Sequence, residues 1–257
     1  MKTIHIVLIF LYVGLFSSCE KVIDLNLKTS SSQIVIQGTI YDQPGPYKIT
    51  ISKSVGFDEP SIYPAVSGAI VTISDNTGIS DSLTEDSAGV YVTSKLEGIP
   101  GRTYTLKVET DGQTYTASST MYPAVEIDSI FIKNKFGKST SINLLFKDPV
   151  DTLNYYRLVD FINDKKQPSI MASSDLGFDG KIMTGRVFYS EKDLKSGDTL
   201  TFWLESIDKG VYDYFRTASS SGGGQEASPA NPVSNISNNA LGFFSACSVR
   251  KRSFLMP

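Results

Sequence analysis

From residue 33 onward the chain alternates apolar and polar positions, with a period of two. IVIQGTIY (34–41), YKITISKS (47–54), AIVTIS (69–74), GVYVTS (89–94), TYTLKVE (103–109) and QTYTASS (113–119) are rich in Val, Ile, Thr and Tyr. That pattern and composition mark half-buried strands. The breaks carry turn residues: Pro44-Gly45-Pro46, Asp75-Asn76-Thr77-Gly78, Pro100-Gly101 and Asp111-Gly112. Asp-Gly between two alternating runs is a strong hairpin signal. Turns at this spacing predict an antiparallel sandwich of roughly seven strands over 33–122, immunoglobulin-like in architecture.

Pro123 starts a connector, and a second β-rich domain is expected over 123–257. Its strands read as IDSIFIK (127–133), SINLLFKD (141–148), YYRLVDFIN (155–163), KIMTGRVFYS (181–190) and DTLTFWLESID (198–208). Ala240 to Leu255 reads as a final strand or bent pair. One stretch breaks the period. Lys209 to Ser219 sets Val211, Tyr214, Phe215 and Ala218 at helical spacing, with Tyr212 and Arg216 towards the other face and Asp208 in front as N-cap. The expected fold is therefore all-β: two antiparallel β-sandwich-like halves, the first immunoglobulin-like, with one short helix in the second.

The N-terminus follows another rule. Lys2 precedes an apolar run from Ile4 to Phe16, then Ser17, Ser18 and Cys19. The run is shorter than the roughly 20 residues that span a bilayer. It has the form of a secretory signal peptide over 1–18. Ending on a cysteine, it predicts cleavage before Cys19 and acylation of that residue. Two or more acyl chains hold a protein stably on a membrane. Residues 19–32 are then anchor and tether, and Glu20, in place of an aspartate, favours the outer membrane.

Composition narrows the chemistry. The formal charge is −3 and the only basic cluster is Arg250-Lys251-Arg252, so nucleic-acid binding is not expected. The sole histidine is His5, inside the signal, which removes histidine-based catalysis and metal binding from the mature chain. With Cys19 lipidated, Cys247 has no disulfide partner and reads as a small buried hydrophobe. Carboxylates remain, with Asp148 and Asp151, Asp175 and Asp179, and Asp208 and Asp213 as the closest pairs of the second half. A glycosidase needs two carboxyls at a defined separation, but aspartates at strand ends ordinarily serve turns. Asp175-Leu176-Gly177-Phe178-Asp179-Gly180 likewise reads as a glycine-rich turn rather than a calcium loop. No catalytic residue, metal site or cofactor is expected.

Contact candidates are aromatic and polar. The loop 55–67 carries Phe57 and Tyr63, which either meet a ligand or cap the sandwich end. Tyr212, Arg216, Asn231 and Asn235 share one neighbourhood of sequence around the helix. They are candidate ligand or partner contacts, with a solvated or structural role as the alternative.

Several segments carry a family resemblance: SSCEKVIDLNL, PAVSGAIVTISDNTG, GIPGRTYTLKVETDGQTYTASSTM, SIDKGVYDYFRT, ANPVSNISNNALGFFSA and SVRKRSF. In this order they resemble an uncharacterised Bacteroidota lipoprotein family, domain-of-unknown-function family 4249. The resemblance implies an outer-membrane lipoprotein, often encoded beside energy-coupled outer-membrane receptors, and it carries over no catalytic residue. The expectation is a non-catalytic, lipid-anchored accessory or ligand-binding partner of such a receptor. A surface adhesion or structural module and a carboxylate-based hydrolase are the alternatives.

Overall fold

The first half of the chain forms short strands with tight connections. They are β1 (Ile34–Tyr41), β2 (Lys48–Lys53), β3 (Ile70–Asp75), β4 (Ser80–Ser82), β5 (Thr84–Ser87), β6 (Val90–Val92), β7 (Thr103–Thr110) and β8 (Gln113–Thr120). The second half adds β9 (Ser129–Phe136), β10 (Ser139–Lys147), β11 (Tyr155–Ile162), β12 (Lys165–Lys166), β13 (Met171–Ser174), β14 (Ile182–Ser190) and β15 (Thr199–Ile207). A helix, α1 (Lys209–Ser221), and a long strand, β16 (Leu241–Leu255), complete it. The computed structural model describes residues 32–56, 59–60, 62–136, 139–190, 192–221 and 231–257. The expected signal peptide, Cys19, the tether before residue 32 and Phe57 lie outside these residues. Among the described residues no helix is long and apolar enough to cross a membrane.

The fold is an all-β sandwich architecture with two main cores. In the first, β5, β6, β2, β1 and the start of β16 form one layer, and β4, β3, β7 and β8 form the other. Ile36, Ile40, Ile49, Ile51, Tyr91 and Phe244 from one layer meet Val71, Ile73, Tyr104, Leu106 and Val108 from the other. Every second residue of β1, and of β7 from Tyr104 to Val108, is buried, as the pleat requires. The expected hairpin forms at Asp111-Gly112, both with positive φ (51° and 71°), and pairs Thr110 with Gln113.

In the second core, β14, β10 and β9 form one layer. β11, β15 and the end of β16 form the other, with β12 and β13 added at the edge of β11. Ile142, Leu144, Phe146, Met183 and Val187 pack on Tyr156, Leu158, Leu200, Phe202 and Leu204. A third, smaller cluster joins α1 to the sheet through Ile207, Val211, Phe215 and Cys247. Cys247 is fully buried, and burial raises its thiol far above the usual range, so it stays a neutral space-filler.

β16 belongs to both sandwiches. Leu241 to Cys247 pair in parallel with Val35 to Tyr41, and Ser248 to Leu255 pair antiparallel with Ser206 to Thr199. The last strand thus closes the first core, so a cut at 122–123 would remove a strand from it. Gly242 makes this pairing possible. Its φ is +95°, and a Cβ there would lie 2.0 Å from the Ile36 carbonyl oxygen.

Two predictions follow from these contacts. Gly242→Ala is expected to lower stability by about 3 kcal/mol or more, because it combines backbone strain with a clash at the β1–β16 ladder. Urea unfolding of the two proteins measures it. The second concerns Asp75, whose side chain is 1% exposed and paired with Arg102 at 2.6 Å. Burial alone would raise its carboxyl. The Thr77 hydroxyl, the N–H groups of Ile79 and Thr77 and the Arg102 guanidinium outweigh burial and hold it at about 2. A folded-state value below the ordinary 3.8 stabilises the native state at higher pH and fades as pH falls from about 4 to about 2. Asp75→Asn should therefore cost about 2 kcal/mol at neutral pH, and the difference from wild type should close on acidification. Equal gaps at pH 7 and pH 2 would contradict this assignment.

Candidate functional site

The alternation that fills the cores sends the other phase of each strand to the outer face of the long sheet. On β1 those residues are Gln37, Thr39 and Tyr41. On β15 they include Trp203 and Glu205, and on β16 Phe243, Val249 and Lys251. All of these except Glu205 line an open groove of about 430 Å³, with Gln43, Pro44, Pro46, Tyr47 and Lys48 forming its wall. Trp203 lies between neighbours at good ring geometry. Phe161 is 4.8 Å away centroid to centroid, Tyr41 meets it edge-on at 6.1 Å, and Lys251 Nζ lies 4.0 Å above its ring. No acidic side chain lines the groove, while Lys48 and Lys251 both do. Aromatic surface with convergent amides and cations is the composition of a binding surface.

The helix covers the adjoining part of the same face. Tyr214 and Phe215 pack on Phe243 with centroids 4.9 and 4.8 Å away. Beneath Phe215 lies a buried polar network. Arg157 stacks under the Phe215 ring at 3.9 Å and donates from Nη1 to Glu205 Oε2 at 2.9 Å. Tyr41 donates its hydroxyl to Glu205 Oε1 at 3.2 Å. Burial first, and then the Glu205 charge, push the Tyr41 phenol far above its usual range, so it is a fixed donor. One tyrosine thus forms groove wall with its ring and anchors the sub-helical ion pair with its hydroxyl. Arg157→Met leaves Glu205, 1% exposed, without its cation. Losing one partner of a buried pair costs about 3–5 kcal/mol, so the unfolding free energy of this variant from urea titration is expected to fall by that amount, with the slope unchanged.

The sequence-predicted contact residues fall in different places. Tyr63 is exposed in the β2–β3 loop, which an Ala65–Ser52 bridge ties to β2. Tyr212 is half-buried and stacks on Tyr155 at 4.9 Å. Arg216 and Asn231 are exposed. Asn235 is engaged structurally: its Nδ2 donates to the Phe244 carbonyl at 2.7 Å and its Oδ1 accepts the Phe244 N–H at 3.0 Å. The structure does bring the 231–239 loop against the helix, since Val233 N–H donates to Thr217 Oγ1 at 2.9 Å. Sequence reasoning missed the groove itself. The available signal was apolar residues on both phases of TFWLESI and GFFSACSV, the mark of strands packed on both faces.

The aspartates also regroup. Asp208 caps the helix by accepting Val211 N–H at 2.9 Å, and Asp213 pairs with Lys209 at 2.5 Å. Asp148 and Asp175, from different sequence pairs, meet at one end of the second sandwich. One carboxylate oxygen from each of Asp148, Asp175 and Asp179 lies within 4.8 Å of the others. Asp148 and Asp175 are each 1% exposed. Burial, together with the facing Asp148 and nearby Asp179, raises the Asp175 carboxyl against the lowering effect of the Asn154 N–H. Two carboxylates roughly 4 Å apart repel by about 4 kcal/mol in a protein-like dielectric.

Fold and face together define a double β-sandwich protein with an open aromatic sheet surface. The chain belongs to the family described as Domain of unknown function (DUF4249), whose family model matches residues 20–253. No curated protein matches the chain. Among solved structures it is similar to the adhesin InvE of Yersinia pseudotuberculosis, at 16% identity over 67% of this chain and 55% of that one, TM-score 0.22. The chain thus spans about half of that adhesin structure. It is also similar to a two-domain fibronectin type-III segment of chicken tenascin, at 13% identity over 69% of this chain and 91% of that one, TM-score 0.22.

Proposed function

We propose that this protein is a lipid-anchored outer-membrane lipoprotein that serves, without catalysis, as the binding accessory of an energy-coupled outer-membrane receptor. The observation that carries the binding role is the groove around Trp203. It offers aromatic rings, the amides of Gln37 and Gln43 and the ammonium groups of Lys48 and Lys251, with no carboxylate. In a chain of net charge −3, such a cation-lined face favours a segment with an acidic or aromatic group. The membrane part of the reading rests on Lys2 to Cys19 and its cysteine-terminated apolar run. The non-catalytic part is supported by the burial of Asp148, Asp160, Asp175 and Glu205.

Two tests separate these elements. Cys19→Ala is expected to move the protein from the membrane to the soluble fraction; retention on membranes would remove the anchor from the reading. Tagged full-length protein, used to pull partners from detergent-solubilised outer membrane, is expected to recover one receptor barrel at stoichiometric amounts. Trp203→Ala and Lys251→Glu should each reduce recovery at least about tenfold, the loss that follows when an interface anchor worth about 1.4 kcal/mol or more is removed. Circular dichroism checks that both variants fold. Undiminished recovery with both would place the interface elsewhere, and no receptor with wild type would favour an independent surface module. Trp203 is the only tryptophan, so its fluorescence reports directly on occupancy of the groove.

A further inference from the structure

Most buried carboxylates in this chain are visibly compensated. Asp81 accepts the N–H groups of Ser94, Lys95 and Leu96 and the Ser94 hydroxyl. Asp160 accepts the hydroxyls of Tyr189 and Ser169, and Glu205 has Arg157 and Tyr41. Asp148 accepts the Tyr156 hydroxyl at 2.5 Å and the Gly180 N–H at 3.0 Å. Asp175 differs. Its Oδ2 accepts the Asn154 N–H at 2.9 Å, but its Oδ1 is buried with no hydrogen-bond partner. Asn154 Oδ1, on the residue that makes that bond, is buried and unpartnered as well. Among the described residues none of Asp148, Asp175 and Asp179 has an ion pair with a lysine or arginine. The one cation of the turn, Lys181, places Nζ on the Gly177 carbonyl at 3.1 Å instead.

We propose that Asp148, Asp175 and Asp179, whose carboxylate oxygens lie within 4.8 Å of one another, form a binding site for a calcium ion. Oxygen-only donors with three carboxylates suit a hard divalent cation, and their irregular placement on two loops suits calcium better than octahedral magnesium. The loops are 148–154, between β10 and β11, and 175–181, between β13 and β14. They are already joined by Asp148 N–H to the Lys181 carbonyl at 3.0 Å and Asp175 N–H to the Asn154 carbonyl at 3.1 Å. Gly177 and Gly180 take positive φ (83° and 66°) to make the second loop. Asp179 is exposed, which gives the ion a way in from solvent. A bound ion ties together the two loops that display Val150, Leu153, Leu176 and Phe178 to solvent. This site is separate from the groove and does not depend on it.

The test uses full-length protein in detergent, stripped with a chelator and then titrated with calcium through the millimolar range typical of extracellular sites. Calcium is expected to raise the melting temperature, and terbium is expected to show tyrosine-sensitised emission through Tyr156, which hydrogen-bonds a ligand carboxylate. Excess calcium should displace terbium, and equal magnesium should not. Asp175→Asn is expected to abolish both responses. In chelator it should melt at or above wild type, because one buried negative charge is gone; in calcium the order reverses. Should that variant fail to fold, Asp179→Asn decides the matter from the exposed side, with calcium affinity expected to fall about tenfold or more. No calcium response in wild type, or a response unchanged in the variant that folds, overturns the proposal.

Discussion

The geometry of this protein hangs on one strand that changes partners midway. β16 enters parallel to β1 and leaves antiparallel to β15. Neither sandwich is complete without it: Phe244 and Ala246 are part of the first core, and Met256, just beyond its end, is part of the second. A strand shared in this way fixes the register of both sheets at once, because slipping it by one residue would turn every inward side chain outward in both cores. The parallel pairing joins positions more than two hundred residues apart, Val35 with Leu241, so it carries a large loop-closure entropy cost that other contacts must offset.

Polar groups hold the switch point. Asp42 accepts the Val249 N–H at 2.8 Å and pairs with Arg250 at 2.8 Å, just where β16 parts from β1. Ser119 of β8 donates to Asp208, the helix cap, and accepts the Ala246 N–H at 2.8 Å. One serine and two aspartates thereby connect the first sandwich, the helix and the shared strand. Each is buried or half-buried, so these hydrogen bonds operate away from full solvent competition, and breaking one leaves an unsatisfied group behind. The helix is thus fixed at its start by Asp208 and along its length by Phe215 and Val211, which settles how much of the sheet face remains open.

Local pattern made the strands legible. IVIQGTIY is β1 to the residue, and the helix over 209–219 extends only two residues further, because period and turn chemistry are local properties of sequence. The short edge strands β4, β5, β12 and β13 left no such trace, since two to four residues cannot establish a period. The double membership of β16 was also out of reach: alternation shows that ALGFFSACSVRKRSFL is extended, but pairing over two hundred residues of separation depends on tertiary shape. The site was legible only in part. Helical period placed Tyr212 and Arg216 on their helix, but neither lines the groove, whereas Tyr41, Trp203 and Lys251 lie far apart in sequence and meet only through strand order. Asn235 shows the opposite failure, a polar residue in a loop whose amide is committed to the Phe244 backbone.

Charge is distributed in a way that ties these features to the function proposed. Four acids of the second half, Asp148, Asp160, Asp175 and Glu205, are turned inward, each placed against a tyrosine, an arginine or another carboxylate. Beside the groove, Glu205 is sealed beneath the helix by Arg157 and Tyr41, and it is not among the groove's lining residues. What the groove presents is Trp203 beneath a lysine ammonium, with a second lysine on its wall. A ligand that stacks on Trp203 must displace the Lys251 ammonium or replace that contact with its own charge. Recognition at such a surface combines aromatic stacking with charge pairing, and the two are mechanically linked through a single ring. The helix matters here as a cover on Glu205: without it the same face would offer a carboxylate beside the lysines, against the anionic partner proposed for it.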